Sequence, residues 1–210
     1  MRLPPNVDHL VYASPDLDRG IAEIEGLLGV QPSAGGQHIG IGTRNALVGL
    51  GPMTYLEIIA PDPDQPPPLV PRPFGIDQLC GSKLAAWFLR ASDLGRLRGE
   101  ALRAGVPIGG VKSASRRRPD GVALSWEMTD PWCAVAEGIV PFFIDWKDSP
   151  HPAATAPRGG SWVGLRAEHP DAPRVRDMLS RLGIEVPVEV GPLPALIATI
   201  EGARGRVELK

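Results

Sequence analysis

Hydrophobic and polar positions along this chain follow one plan three times over. Each copy opens on a short apolar run that ends in Ala: Val7-Asp8-His9-Leu10-Val11-Tyr12-Ala13, then 84–91, then 161–167. A stretch of helical period follows each run. Its apolar stripe is Leu17, Ile21, Ile24 and Leu28 in the first copy and Leu94, Leu97, Ala101 and Ala104 in the second. In the third it is Val175, Met178, Leu179 and Leu182. Such spacing puts one apolar face on each predicted helix. Gly29, Gly105 and Gly183 stand at the exits, where a left-handed residue ends a helix. Ser14, Ser92 and Asp171 are the predicted N-caps, with Pro15 at the first helical position. The alanines Ala13, Ala91 and Ala167 are 78 and 76 residues apart, and the exit glycines 76 and 78. Two landmarks that keep one period mark an internal repeat.

Short β-like runs follow each predicted helix. They are 37–41, 45–50 and 54–60 in the first copy, and 112–118, 122–128 and 140–146 in the second, where Pro119-Asp120-Gly121 reads as a hairpin turn. The third copy has 186–190, 195–200 and 206–209. Each unit is therefore βαβββ, and the fold class is α+β with curved mixed sheets. One such unit cannot bury both faces of its sheet, so units must pair. The predicted organisation is a region 1–150 holding units 5–60 and 84–148, a Pro-rich crossover 61–83, and a third, shorter unit 158–210. Seven of the thirteen residues in 61–73 are Pro, which favours stiff extended geometry between copies. The odd number of units leaves open that the last one pairs across a homodimer.

Composition narrows the function classes. The chain has 22 basic and 24 acidic side chains for a net charge of -2, which gives no electrostatic footprint for nucleic acid or an anionic membrane. Its apolar runs fall short of the roughly 20 residues of a spanning helix. The opening residues lack the apolar core of an export signal, and Cys80 and Cys133 form no metal or disulfide pattern, so a cytoplasmic location is expected. The 25 glycines and 24 prolines would suggest low complexity, but many of the glycines fall at predicted helix exits and turns.

The first unit carries the chemistry. His9 shares a strand face with Val7 and Val11, and Glu57 is centred in the apolar strand Tyr55-Leu56-Glu57-Ile58-Ile59. A carboxylate in that setting is costly to bury unless paired, hydrogen-bonded or metal-bound. His and carboxylate on neighbouring strands suit a divalent metal, with a core histidine as the plainer alternative. His38 is a candidate third ligand or acid–base group. Arg44 and Asn45 are candidate substrate contacts, Arg44 through its planar donors to a carboxylate or phosphate. Trp126 and Trp146 are candidate walls of an apolar pocket. Arg116-Arg117-Arg118 read as a solvated hairpin end, and His151 and His169, each before a Pro, as surface residues.

Three segments of the first unit resemble the glyoxalase-like domain family of the vicinal oxygen chelate superfamily: Val7-Asp8-His9-Leu10-Val11, Gly36-Gln37-His38-Ile39-Gly40-Ile41-Gly42-Thr43-Arg44-Asn45-Ala46-Leu47 and Tyr55-Leu56-Glu57-Ile58-Ile59-Ala60-Pro61. The resemblance continues through Pro73-Phe74-Gly75-Ile76 and Pro141-Phe142-Phe143-Ile144-Asp145-Trp146 and covers about residues 5–150. It implies a glyoxalase/bleomycin resistance/dihydroxybiphenyl dioxygenase-like fold in which paired units form a cup for a small-molecule ligand. It also implies a divalent metal (Zn, Ni, Mn or Fe) that chelates adjacent substrate oxygens, and a lyase, isomerase or dioxygenase type of reaction. His9 and Glu57 match first-unit ligand positions. The second unit departs from the pattern, with Ala86 opposite His9 and Phe143 or Ile144 opposite Glu57; the third offers Gly164 and Glu208. Glutathione-dependent glyoxalase I activity is therefore not expected. A metal-free protein of the same fold that sequesters a small molecule is the alternative.

Overall fold

The computed structural model describes residues 3–118 and 120–210, so Pro119 of the predicted hairpin turn lies outside the described residues. The first unit is β1 (Val7–Ala13), α1 (Leu17–Leu28), β2 (Ser33–His38), β3 (Thr43–Gly51) and β4 (Thr54–Pro61). The second is β5 (Lys83–Arg90), α2 (Leu94–Arg103), β6 (Val111–Arg117), β7 (Ala123–Thr129) and β8 (Phe142–Asp145). The third is β9 (Ser161–His169), α3 (Ala172–Arg181), β10 (Val188–Val190), β11 (Ala195–Gly202) and β12 (Gly205–Leu209). The class is α+β, and each unit has the βαβββ order. No helix among the described residues is long and apolar enough to cross a membrane.

The helix starts shift from the expected residues. Asp16, not Ser14, caps α1, accepting from the Arg19 N–H at 2.9 Å, so Pro15 lies outside the helix. Asp93, not Ser92, caps α2 through the Arg96 N–H at 3.1 Å. In both cases the carboxylate reaches the third amide of the turn, and it suits the positive end of the helix dipole better than a hydroxyl does. Asp171 caps α3 as expected. Strand β2 starts at Ser33 and stops at His38, earlier than the apolar run suggested, because Gly40 and Gly42 take φ of 80° and 72° and turn the chain.

Strands of the first two units close into one barrel in the order β1-β4-β3-β2-β6-β7-β8-β5, and the third unit forms a separate sheet, β10-β9-β11-β12. The two units meet at two antiparallel seams, β1 beside β5 with Val11 opposite Ala86 and β2 beside β6 at Gln37 and Arg117. Within the first unit β1 runs parallel to β4, with Val11 opposite Glu57. Period-two alternation then sorts the side chains. Leu10, Tyr12, Leu56, Ile58, Val48 and Trp87 point outward, into a core shared with α1, α2 and the third sheet. Val11, Leu47, Tyr55, Ile59, Phe88, Trp126 and Ile144 point inward and line the barrel. Both faces of β1 and β4 are buried, so their sequences read as nearly unbroken apolar runs in which His9 and Glu57 stand out.

Candidate functional site

The barrel interior is not filled. A cavity open to solvent is walled by Ile41, Ile59, Pro73, Phe74, Phe88, Trp126, Met128, Ile144 and Trp146. Its polar lining is His9, His38, Thr43, Asn45, Tyr55, Glu57 and Arg116. Trp126 and Trp146 meet there with ring centroids 5.2 Å apart. The Pro-rich crossover does more than connect copies. Its turn at 73–78 places Phe74 at φ 60° and ψ 15°, with its ring edge-on to Phe88 and Phe142 at the cavity rim.

His9 is held on every side. Its ring stacks between Tyr55 and Phe88 at centroid distances of 4.6 and 4.2 Å. Its Nδ1 donates to Asp8 Oδ1 at 2.7 Å, which directs Nε2 toward Glu57 Oε2, 3.9 Å away. Adjacent strand residues normally face opposite ways, but the β1–β5 register slips between Val7 and His9, and this bulge lets Asp8 and His9 meet. Asp8 is fully buried and takes further hydrogen bonds from His151 Nε2 at 3.1 Å and Trp146 Nε1 at 3.2 Å. Burial alone would push this carboxyl up; the bonds from His151 and His9 outweigh it and hold Asp8 well below the usual carboxylate range.

A second chain of bonds fixes His38. Arg116 can only donate, and its Nη1 reaches Asn45 Oδ1 at 3.0 Å, so the Asn45 amide nitrogen must face the other way. That nitrogen lies 2.5 Å from Glu57 Oε1 and 3.4 Å from His38 Nε2. His38 Nε2 is thus an acceptor, and its proton sits on Nδ1, which donates to Thr43 Oγ1 at 3.0 Å. Burial foremost, with Arg116 adding to it and Glu57 opposing, keeps His38 below the ordinary histidine range. His38 Nε2 and Glu57 Oε1 are 3.8 Å apart. Glu57 therefore lies between two imidazole nitrogens whose other ring nitrogens are both committed as donors.

That arrangement bears on a metal. Two ligands of one ion, each about 2.1 Å from it, stand at most about 4.2 Å apart. The spacings of 3.9 and 3.8 Å from Glu57 are within that limit, and two imidazole nitrogens and a carboxylate are donor types that a divalent ion takes. Among the described residues no group of three His, Cys, Asp or Glu side chains is arranged to hold a metal ion. The Asn45 amide lies between His38 and Glu57, bonding the second and within 3.4 Å of the first.

Three expectations are corrected. Arg44 does not line the cavity: Thr43, Asn45 and Leu47 face inward on β3, so the alternation turns Arg44 outward, where it adds to holding Asp62 below the carboxylate range. Arg116 is not a solvated hairpin residue but 5% exposed and turned into the barrel, whereas its neighbour Arg117 faces solvent. His151 and His169 are buried, not on the surface: His151 bonds Asp8, and His169 bonds Glu137 Oε2 at 2.9 Å while accepting the Asp171 N–H. Asp8 was present in the opening motif, but nothing local marks a strand carboxylate as the partner of a loop histidine 143 residues away.

A barrel of two βαβββ units around a cavity with convergent imidazole and carboxylate groups defines a glyoxalase-type fold. The chain belongs to the glyoxalase-like domain family, whose model matches residues 7–183. A hypothetical protein from Staphylococcus aureus is similar in structure, with a TM-score of 0.69 and 13% identity over 96% of this chain and 97% of that one, a likeness of fold alone. Methylmalonyl-CoA epimerase from Mycobacterium tuberculosis aligns at a TM-score of 0.43 and 19% identity over 74% of this chain and 95% of its own. The Streptomyces coelicolor enzyme of that name gives 0.44 and 17% over 66% and 95%. A search of curated proteins finds no match to this sequence.

Proposed function

We propose that this protein is a metal-dependent enzyme acting on a small oxygenated molecule with an apolar or aromatic body, and that His9, His38 and Glu57 hold the metal. One observation carries the reading: the Nε2 atoms of His9 and His38 face the two oxygens of Glu57 across 3.9 and 3.8 Å, with both Nδ1 protons committed elsewhere. Electron-rich groups so placed favour positive charge, which the Asn45 amide meets only in part, on the His38 side of Glu57. A divalent metal bound there supplies Lewis acidity to a substrate oxygen and stabilises the negative charge that develops on it.

The residues around it do the rest. Asp8 fixes the His9 tautomer and ring orientation, the role of a carboxylate behind a metal-binding imidazole. Tyr55 and Phe88 clamp that ring so that it cannot rotate. Trp126, Trp146, Met128 and Phe74 take the substrate body and exclude water, which strengthens every polar contact on the floor. In this reading Glu57 Oε1, hydrogen-bonded by Asn45, holds or moves a proton on a substrate atom.

Metal content tests this. Untagged protein offered Zn, Ni, Mn and Fe, then dialysed and measured by mass spectrometry, should retain about one ion per chain; His9→Ala, His38→Ala and Glu57→Ala should each retain far less. Substoichiometric metal that all three variants leave unchanged overturns the proposal in favour of a metal-free binding protein.

A further inference from the structure

Arg116 is a charge without a partner. It is 5% exposed, and no carboxylate among the described residues lies within 4.0 Å of its guanidinium. Its hydrogen bond is to a neutral amide, Asn45 Oδ1. Arginine does not shed its proton in proteins, so the usual escape of a buried base is closed to it. Buried charges are therefore paired in folded proteins, because an isolated one is expensive to desolvate. Here the guanidinium lines the cavity together with Trp126, Trp146 and Phe88, so the open place for a counter-ion is the cavity itself.

The backbone around Arg116 is built to hold it. Gly35 lies on β2, across the β2–β6 seam. A Cβ at Gly35 would stand 2.5 Å from Arg116 Nη1 and would overlap Asn45 Oδ1 as well. The missing side chain is thus the space that the Arg116–Asn45 pair fills. Asn45 spends its oxygen on Arg116 and its amide hydrogens on Glu57 and His38, so it orients the guanidinium against the polar floor and leaves the remaining N–H groups of the fork for a ligand.

We infer that Arg116, positioned by Asn45 and Gly35, is an anion subsite that takes the carboxylate of a small acid whose apolar or aromatic body lies against Trp126, Trp146 and Phe88. A planar two-oxygen anion matches the parallel donors of one guanidinium. The aromatic walls select the body by burial rather than by hydrogen bonds. This rests on the cavity being the ligand site, as proposed above, and adds the charge and the class of the substrate.

The probes are 3-phenylpropanoate and its neutral amide, 3-phenylpropanamide, titrated calorimetrically into the full chain, once metal-loaded and once after chelator treatment. The acid should bind roughly 10- to 100-fold more tightly than the amide, the range of a hydrogen-bonded charge. Arg116→Gln should bring the two to near parity and leave amide affinity and metal content unchanged, while Arg117→Gln keeps the preference. Equal affinities in the parent chain overturn the inference without needing a folded variant. So does a preference that survives in Arg116→Gln, since the carboxylate would then be held elsewhere, on the metal for example. Acid preference that persists after chelation in a chain whose metal content the ligand variants do not alter supports the subsite and sinks the metal reading. Failure of both probes to bind overturns the subsite together with the cavity as ligand site.

Discussion

Replacing Asp8 with Asn keeps its shape and removes its charge. Both carboxylate oxygens are engaged: Oδ1 by His9 Nδ1 at 2.7 Å, Oδ2 by His151 Nε2 at 3.1 Å, and both by Trp146 Nε1 at 3.3 and 3.2 Å. Whichever way an amide is turned, its NH₂ meets an N–H that used to donate to an acceptor. The variant therefore leaves buried donors unpaired, and breaking one partner of a buried charged set costs about 3 to 5 kcal/mol. For a domain of this length that lowers Tm by roughly 6 to 20 °C. The pH dependence has a fixed sign. A carboxyl depressed in the folded state contributes stability above the unfolded value, here 3.8, and loses it as pH falls toward the folded value. Urea unfolding of both proteins from pH 7 to pH 3 should show a gap that is largest near neutrality and narrows below about pH 4. A gap under about 1 kcal/mol at pH 7, or one that stays constant into acid, would refute the reasoning.

Three further outcomes follow from particular contacts. The chain has two tyrosines, Tyr12, pushed up to about 12 by burial and then by Glu23, and Tyr55, raised well above the ordinary 10.0 by burial and the charges of Asp8 and Glu57. Absorbance at phenolate wavelengths should therefore stay flat through pH 10 in the folded protein, and half-ionisation at that pH would contradict both environments. Trp87 is fully buried and donates Nε1 to Ile139 O at 2.8 Å, so Trp87→Phe strands that carbonyl and should cost about 1 to 3 kcal/mol by chemical denaturation. Gly35→Ala should leave secondary structure by circular dichroism intact while lowering the acid-over-amide preference, because the new Cβ collides with the Arg116–Asn45 pair and not with a helix or the outer core.

Much of the fold was legible because its signals are local. The stripe Leu17, Ile24 and Leu28, ended by Gly29 at φ 74°, is a helix in any context that offers an apolar surface. His9 and Glu57 were legible for the same kind of reason: each is a polar side chain in a mostly apolar strand buried on both faces, with Asp8 the further polar residue of β1. What stayed hidden depends on closure. Within β6 the alternation separates Arg116 from Arg117, but which of the two enters the barrel is set by the seam that joins Gln37 of one unit to Arg117 of the other. The Arg44 expectation failed on the same point: the phase of β3 was free until its register with β4 put Leu47 opposite Glu57. His151 shows a different limit. A histidine before a proline in a loop reads as exposed, and only the Asp8 carboxylate, brought alongside by a bulge in β1, makes burying it favourable.

The repeat and the site together suggest how two similar units came to do different work. The second unit puts Ala86 beside Val11, and Phe88 beside and stacked upon His9. It therefore offers no imidazole or carboxylate from β5 to the cavity. What it supplies is the wall: Phe88, Trp126, Met128, Ile144 and Trp146, together with the Arg116 guanidinium. The first unit keeps the donors, His9, His38, Asn45 and Glu57, within strands that bond directly to one another or share a neighbour. A ligand set confined to one unit leaves the facing half of the barrel free to vary in shape and charge without touching the polar floor. Under the proposed function, then, substitutions in the second unit should change which molecule binds, and substitutions in the first whether anything is done to it.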